Sequence, residues 1–253
     1  MPHSDRLSQG LLHAFVLDGY GSAEAISFAQ LENLQLSAQQ SLWLHWERSH
    51  LRTEQWLRES SGLSEFSRDF LLEENTRPRL LRLENQELLL FLRAINLNPQ
   101  ADPEDMVSLR IFANAKHLYS LRQRPVQITD DLLKALEKGQ GPKNTAEVLL
   151  FLAQSLTDRV ERVVSDLGDT VDQEEARADS DELYIPSPLG MLQARRTAAN
   201  LRRFLAPQRD VFLALTRTQE SWFLADDAMY WNELNNRLTL HLEELELTRE
   251  RVG

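Results

Sequence analysis

Two small groups of imidazole and carboxylate side chains have the chemistry to bind a metal ion. His45 and His50 bracket Glu47 where a predicted strand gives way to a helix, and zinc accepts both imidazole nitrogen and carboxylate oxygen. The three converge only if the loop folds back, and a five-residue separation across a loop is not a recognised ligand spacing. The competing reading makes His45 a hydrogen-bonded core histidine in an aromatic strand. The second group, His241 and Glu244, lies i,i+3 on one face of the last predicted helix. It offers two of the roughly four ligands that structural zinc prefers, so a neighbouring chain would have to supply others.

Other chemistries fall away. Gly139-Gln140-Gly141-Pro142-Lys143-Asn144-Thr145 has the look of a phosphate loop, but its spacing is wrong and Pro142 removes a backbone donor. No strand precedes it, so a helix-to-helix turn is the better reading. The chain contains no cysteine, which excludes disulfides, thiolate metal sites and cysteine nucleophiles. Serine–histidine–acid sets, nucleotide fingerprints and zinc-protease motifs are absent. Nothing here supports an enzyme, and no tightly bound cofactor is called for. The net charge is -11, with basic residues mixed among acids, which argues against nucleic acid as a partner. An acidic surface suits solubility or the attraction of cations. Arg195, Arg202 and Arg209 recur every seven residues, flanked by Arg196 and Arg203. This basic ridge is expected to pair with acids on an adjacent helix, such as Asp158, Glu161, Asp166 or Asp169; the alternative is an anion site or an electrostatic contact that changes with cation load.

The elements that must position these residues fall into two parts. Strand-like segments at 13–18 and 23–28 flank Gly19-Tyr20-Gly21-Ser22, a hairpin turn. A short strand at 42–46 precedes two helices, at 53–60 capped by Thr53 and at 64–73 capped by Ser64. Hairpins follow at 79–83 with 87–95 and at 106–113 with 117–122. Thr129-Asp130-Asp131 opens a helix with a cap and two acids at its positive end. Asn144 caps the next, with Glu147 in capping-box position. From there the pattern is three long helices, at about 144–176, 189–220 and 226–252, the first two separated by an acidic stretch and a reversal at Ile185-Pro186-Ser187-Pro188. Helices of ~30 residues reach ~45 Å, so they should project as an arm. The last, with Trp231, Leu234, Leu238 and Leu245 on one side and Leu240 and Leu247 on another, needs two sets of neighbours. A symmetry mate would supply the second set, unless the arm packs only on itself. That helix is still periodic and uncapped at Gly253 and is expected to lead on into a membrane. The apolar runs at 88–92 and 148–153 are far shorter than the ~20 residues of a span, and the N-terminus shows no signal peptide. The expected fold is α+β: an N-terminal α/β/α sandwich over residues 1–143, with a mixed sheet of six to seven strands. The helical arm and the start of a stalk helix occupy 144–253.

Several segments, taken in order, resemble a known family: Glu74-Asn75-Thr76-Arg77-Pro78-Arg79; Leu92-Arg93-Ala94-Ile95-Asn96-Leu97-Asn98-Pro99 with Ala101-Asp102-Pro103-Glu104-Asp105-Met106-Val107; Arg122-Gln123-Arg124; Gly141-Pro142; and Ala206-Pro207-Gln208-Arg209-Asp210. Together they resemble the cytoplasmic part of the ZntB branch of the CorA-type metal-ion transporters. The likeness runs from about residue 13 to 253 and is most specific at 96–107 and 202–210. It implies an α/β/α sandwich, two long antiparallel helices and a longer stalk helix leading to two membrane spans. It further implies a homopentameric funnel on the cytoplasmic side of the bacterial inner membrane. Divalent cations, zinc first, would be the ions transported, and the chain as given would be soluble and stop before the family's Gly-x-Asn pore signature. Losing the spans would weaken the pentamer. Two alternatives stand: a magnesium, cobalt or nickel transporter of the same family, or a soluble helical scaffold that binds a partner protein.

Overall fold

The computed structural model describes residues 10–180, 184 and 187–252. Seven strands form one sheet: β1 (Leu11–Leu17), β2 (Ala23–Ala25), β3 (Ser41–Glu47), β4 (Arg79–Arg82), β5 (Leu88–Ala94), β6 (Val107–Ala113) and β7 (His117–Arg122). Their order is β2-β1-β3-β7-β6-β5-β4, and every neighbouring pair is antiparallel except β3 and β7. The central strands β5 and β6 are buried on both faces, which is why LLLFLRA and VSLRIFA read as runs rather than alternations.

One face carries the short helices α1 (Phe28–Leu31), α2 (Leu51–Glu59) and α3 (Glu65–Leu72). Their core is aromatic: Trp46 stacks on Trp56 with ring centroids 4.6 Å apart, and Phe70 on Phe91 at 4.0 Å. The other face is covered by α4 (Ile128–Glu137) and by three long helices, α5 (Thr145–Ser180), α6 (Pro188–Leu215) and α7 (Asp227–Arg251). Leu90, Leu92, Leu109 and Ile111 of the sheet share a core with Leu149 and Leu156 of α5, Phe212 of α6 and Trp231 of α7. The arm is therefore rooted in the sandwich through one continuous core, and does not merely project from it.

Turn chemistry behaves as its residues dictate. Asp18 Oδ1 accepts the backbone N–H groups of Tyr20, Gly21 and Ser22, closing the β1–β2 hairpin. Gly21, at φ 112, accepts the Gly141 N–H at 2.9 Å, so the hairpin docks on the α4–α5 turn. A Cβ at Gly21 would meet the Gly139 carbonyl at 2.9 Å, too close for any other residue. The glycine-rich stretch is thus a helix-to-helix turn. Asn144 caps α5, its Oδ1 accepting the Glu147 N–H at 2.9 Å, while Glu147 reaches back to Lys143 N–H at 2.9 Å.

Two caps differ from expectation. Helix α2 starts at Leu51, and its cap is His50, whose Nδ1 accepts the Arg52 N–H at 3.1 Å. Thr53 is buried and donates to the Glu47 carbonyl at 2.7 Å, tying the first turn back to the strand. Thr129 lies inside α4 and donates to the Val126 carbonyl, and Gln127 is the cap without a side-chain bond. Helix α6 ends at Leu215, five residues short of the expected limit. Residues 181–182, in the acidic stretch, and Ile185-Pro186 of the expected reversal lie outside the described residues. Ser187 caps α6, accepting the Gly190 N–H at 3.2 Å.

Candidate functional site

Strand β3 places His45 and Glu47 on the same face, two residues apart, with Trp43 beside them. His45 is fully buried. Its Nδ1 lies 2.8 Å from Ser120 Oγ, which also accepts the Trp43 Nε1–H at 3.0 Å and donates to the Leu44 carbonyl at 3.2 Å. The bonds around Ser120 Oγ are mutually consistent when His45 Nδ1 carries the imidazole proton and donates, while His45 Nε2 is buried without a partner among the described residues. The His13 ring stacks on His45 at 5.7 Å. Burial first, then the positive charge of Arg122 and His13, holds His45 well below the ordinary histidine pKa, so it is neutral. Glu47 is half-buried, and burial raises its pKa. His50 is engaged as the α2 cap. These three side chains therefore point to separate tasks. Among the described residues, no group of three or more His, Asp or Glu is placed to hold a metal ion.

On α7, His241 is buried and its Nδ1 lies 3.4 Å from Glu244 Oε2, with the Glu244 carboxylate exposed. The two side chains meet as their i,i+3 spacing predicts. Around it runs a repeated clamp. Arg237 meets Asp158 at 2.7 Å and Glu161 at 2.6 Å, and fourteen residues later Arg251 meets Asp172 at 2.5 Å and also Glu175. Equal offsets on both helices mean that α5 and α7 run parallel, in register over two heptads. The Arg237 bond, first among its causes, lowers the Glu161 pKa, and the Arg251 bond does the same for Glu175.

The basic ridge of α6 pairs across helices at Arg202, as expected, but with α7 and not with the acids of α5. Arg202 meets Glu246 of α7 at 2.9 Å, Arg209 meets Asp210 of its own helix, and Arg203 lies over the Phe204 ring. The reason is the arrangement: α7 packs much more extensively on α5 and on α6 than those two pack on each other. The acids of α5 therefore face arginines of α7. The pairing was visible in the sequence as Asp-x-x-Glu at 158–161 and 172–175, matched by Arg237 and Arg251 at the same fourteen-residue spacing.

Charge is segregated along the arm. Helices α5 and α7 together carry fifteen Asp and Glu against six Arg, whereas α6 carries one Asp against five Arg. Asp158, Glu161, Asp166, Asp169, Glu243 and Glu244 are exposed. Hydrated carboxylates spread over a surface raise the local concentration of cations without fixing any one of them. No described helix is long and apolar enough to cross a membrane.

The sequence profile of the CorA-like Mg2+ transporter protein family matches residues 38–253. A Pseudomonas aeruginosa protein, divalent cation transporter CmaX, is 52% identical over 245 residues, covering 97% of this chain and 74% of that protein. The zinc transport protein ZntB of Yersinia enterocolitica is 34% identical over 243 residues, 96% of this chain and 72% of its own length. Among solved structures, full-length CmaX superposes with a TM-score of 0.94 at 52% identity, over 96% of this chain and 75% of that one. The ZntB cytoplasmic domain from Vibrio parahaemolyticus has the same fold, with a TM-score of 0.83 at 23% identity over 96% and 93% of the two chains.

Proposed function

The chain belongs to the CorA-like family of divalent-cation transporters, and we propose that it is the cytoplasmic funnel part of one that carries zinc. The observation that carries this reading is the 52% identity to a divalent cation transporter across nearly the whole chain. The role is not enzymatic: the sandwich and arm assemble a ring, and the acidic faces of α5 and α7 concentrate cations at its mouth. Exposed Leu240 and Leu247 on α7 support assembly, because they form an apolar side that the chain's own helices leave uncovered. A pentamer is the proposed assembly, on the cytoplasmic side of the bacterial inner membrane. The named relatives are longer than this chain, and the proposed membrane-spanning part lies outside residues 1–253.

Zinc is favoured by the 34% identity to zinc transport proteins over 96% of the chain. A magnesium carrier is the second reading, favoured by the family whose profile matches. The test is uptake by the full gene product in proteoliposomes, with zinc, magnesium, cobalt and nickel offered separately. Zinc-selective uptake supports the reading, magnesium-selective uptake replaces the ion, and no cation flux refutes transport.

A further inference from the structure

A buried and a half-buried arginine lie on neighbouring strands, away from the acidic helices α5 and α7. Arg110 sits in the middle of β6, its side chain on the face that α2 and α3 cover, and is 1% exposed. Its Nη2–H donates to the Glu73 carbonyl at 3.0 Å, while Nε and Nη1 have no hydrogen-bond partner among the described residues. On the neighbouring strand, Arg93 is fixed by donation from Nη1 to the Met106 carbonyl at 2.9 Å and from Nη2 to the Thr76 carbonyl and Oγ1. Its guanidinium lies over Phe204 at 4.6 Å, and its Nε is also unpartnered. Thr76 Oγ1 donates to Ser108 Oγ at 2.8 Å, which leaves the Ser108 hydroxyl hydrogen to donate onward.

These groups line a single cavity of about 320 Å³, with exposed Gln123 and Arg124 at its rim. Neither Arg93 nor Arg110 has an ion-pair partner among the described residues, and Glu73 is committed to Arg79 at 2.5 Å. Three carboxylates also line the cavity: Glu104 accepts from Thr197 at 3.1 Å, and Glu74 and Asp105 are exposed. Burial, then Arg48 and Arg93, brings the Arg110 pKa down to about 10 against the smaller opposing pull of Glu73 and Glu47, so it remains charged at neutral pH. A charge removed from water is retained where something compensates it, and the unpartnered nitrogens of Arg110 and Arg93 and the hydroxyl hydrogen of Ser108 are all available to donate.

We propose that this cavity binds a phosphate-bearing anion, held by Arg110, Arg93 and Ser108. Guanidinium and hydroxyl donors arriving from two strands suit an anion with several oxygens better than a single-centre halide. The volume lies near the lower end of small-molecule sites, enough for a phosphomonoester as well as free phosphate. The site is independent of which cation the protein carries.

The test is calorimetric titration of the 253-residue chain in halide-free buffer with orthophosphate, with glycerol phosphate, and with sodium chloride at matched ionic strength. Saturable binding of one equivalent of either phosphate, with no equivalent heat from chloride, is expected. Arg110→Met should weaken it roughly tenfold or more, and Ser108→Ala, a small change that preserves the fold, by several-fold. Tighter binding of glycerol phosphate would identify a metabolite as the source, and equal or weaker binding would identify free phosphate. No saturable binding, an identical response to chloride, or unchanged affinity in both variants would overturn the proposal.

Discussion

The side-chain amide of Gln208 takes the place of a neighbouring strand at Arg93. Its Oε1 accepts the Arg93 N–H at 2.6 Å, and its Nε2 donates to the Arg93 carbonyl at 3.3 Å. Strand β4 pairs with β5 only from Leu88 to Phe91, so beyond that point the outer edge of β5 has no strand to bond. Helix α6 fills the gap with one fully buried side chain, placed immediately after Pro207. This contact seats the arm on the sheet edge and holds the backbone of an arginine that lines the cavity of about 320 Å³.

Replacing Gln208 by Leu leaves two backbone groups buried without partners. Each orphan costs about 1–3 kcal/mol, so Gln208→Leu should lose about 2–6 kcal/mol in urea unfolding. The Arg93 amide should also exchange with solvent much faster in native-state hydrogen exchange. A loss smaller than about 0.5 kcal/mol, with Arg93 protection intact, would show that the amide is not a substitute strand.

Most of the sheet was legible because hairpins announce themselves. Asn114-Ala115-Lys116 and Glu84-Asn85-Gln86 separate runs whose strand character is unmistakable, and the structure pairs them as read. Ser64 and Asn144 cap as their side-chain chemistry predicts. Thr53 and Thr129 do not, because a threonine one turn into a helix can bond backward to the preceding segment instead. What periodicity does not rank is which two of three long helices are neighbours, so the interhelical pairing of Arg202 is legible but its partner on α7 is not. Arg110 is not legible in the same way, because a lone charge in an apolar run carries no local sign of its burial.

Stability should fall as the pH drops below about 6.5, the ordinary histidine value. His45 has a depressed folded pKa, so the unfolded chain takes up its proton first and each unit of acidification favours unfolding. His117, lowered by burial and then by Lys116, adds to the slope. Each histidine contributes at most about 1.4 kcal/mol per pH unit. The lowered carboxylates Glu161 and Glu175 lose their contribution only at more acidic pH, while Glu47 and Asp227, raised by burial, act in the opposite sense. All four cancel in a comparison of wild type with His45→Gln. Chemical unfolding between pH 7.5 and 5 should show the variant with a shallower slope by about one proton, and equal slopes would contradict a neutral buried His45.

The two clamps should differ in strength although their residues match. Arg237 is the less exposed arginine, at 26% against 37% for Arg251. Arg237→Gln should cost about 0.5–1 kcal/mol at low salt and less at 1 M salt, where the screening length shrinks to about 3 Å. Arg251→Gln should cost less than Arg237→Gln at every salt concentration. The sites lie about 21 Å apart along the helix, so the double variant should be additive within about 0.5 kcal/mol. Strong coupling in the double-mutant cycle would mean that α5 and α7 separate as one unit.

Leu240 and Leu247 test the proposed assembly without touching the fold. Both lie on α7, 57% and 59% exposed, seven residues apart on one side, whereas Leu238, Leu242 and Leu245 are buried against the neighbouring helices. Converting Leu240 and Leu247 to Asp therefore removes little intramolecular packing, and the unfolding free energy of the 253-residue chain should change by no more than about 1 kcal/mol. In the full gene product, the same pair would put two charges into each subunit contact, where unpaired carboxylates are costly to bury. Sedimentation of the detergent-solubilised protein should show a shift to smaller species, with cation flux reduced in parallel. An unchanged assembly would place the contact on another face of the arm and leave the leucines as ordinary exposed side chains.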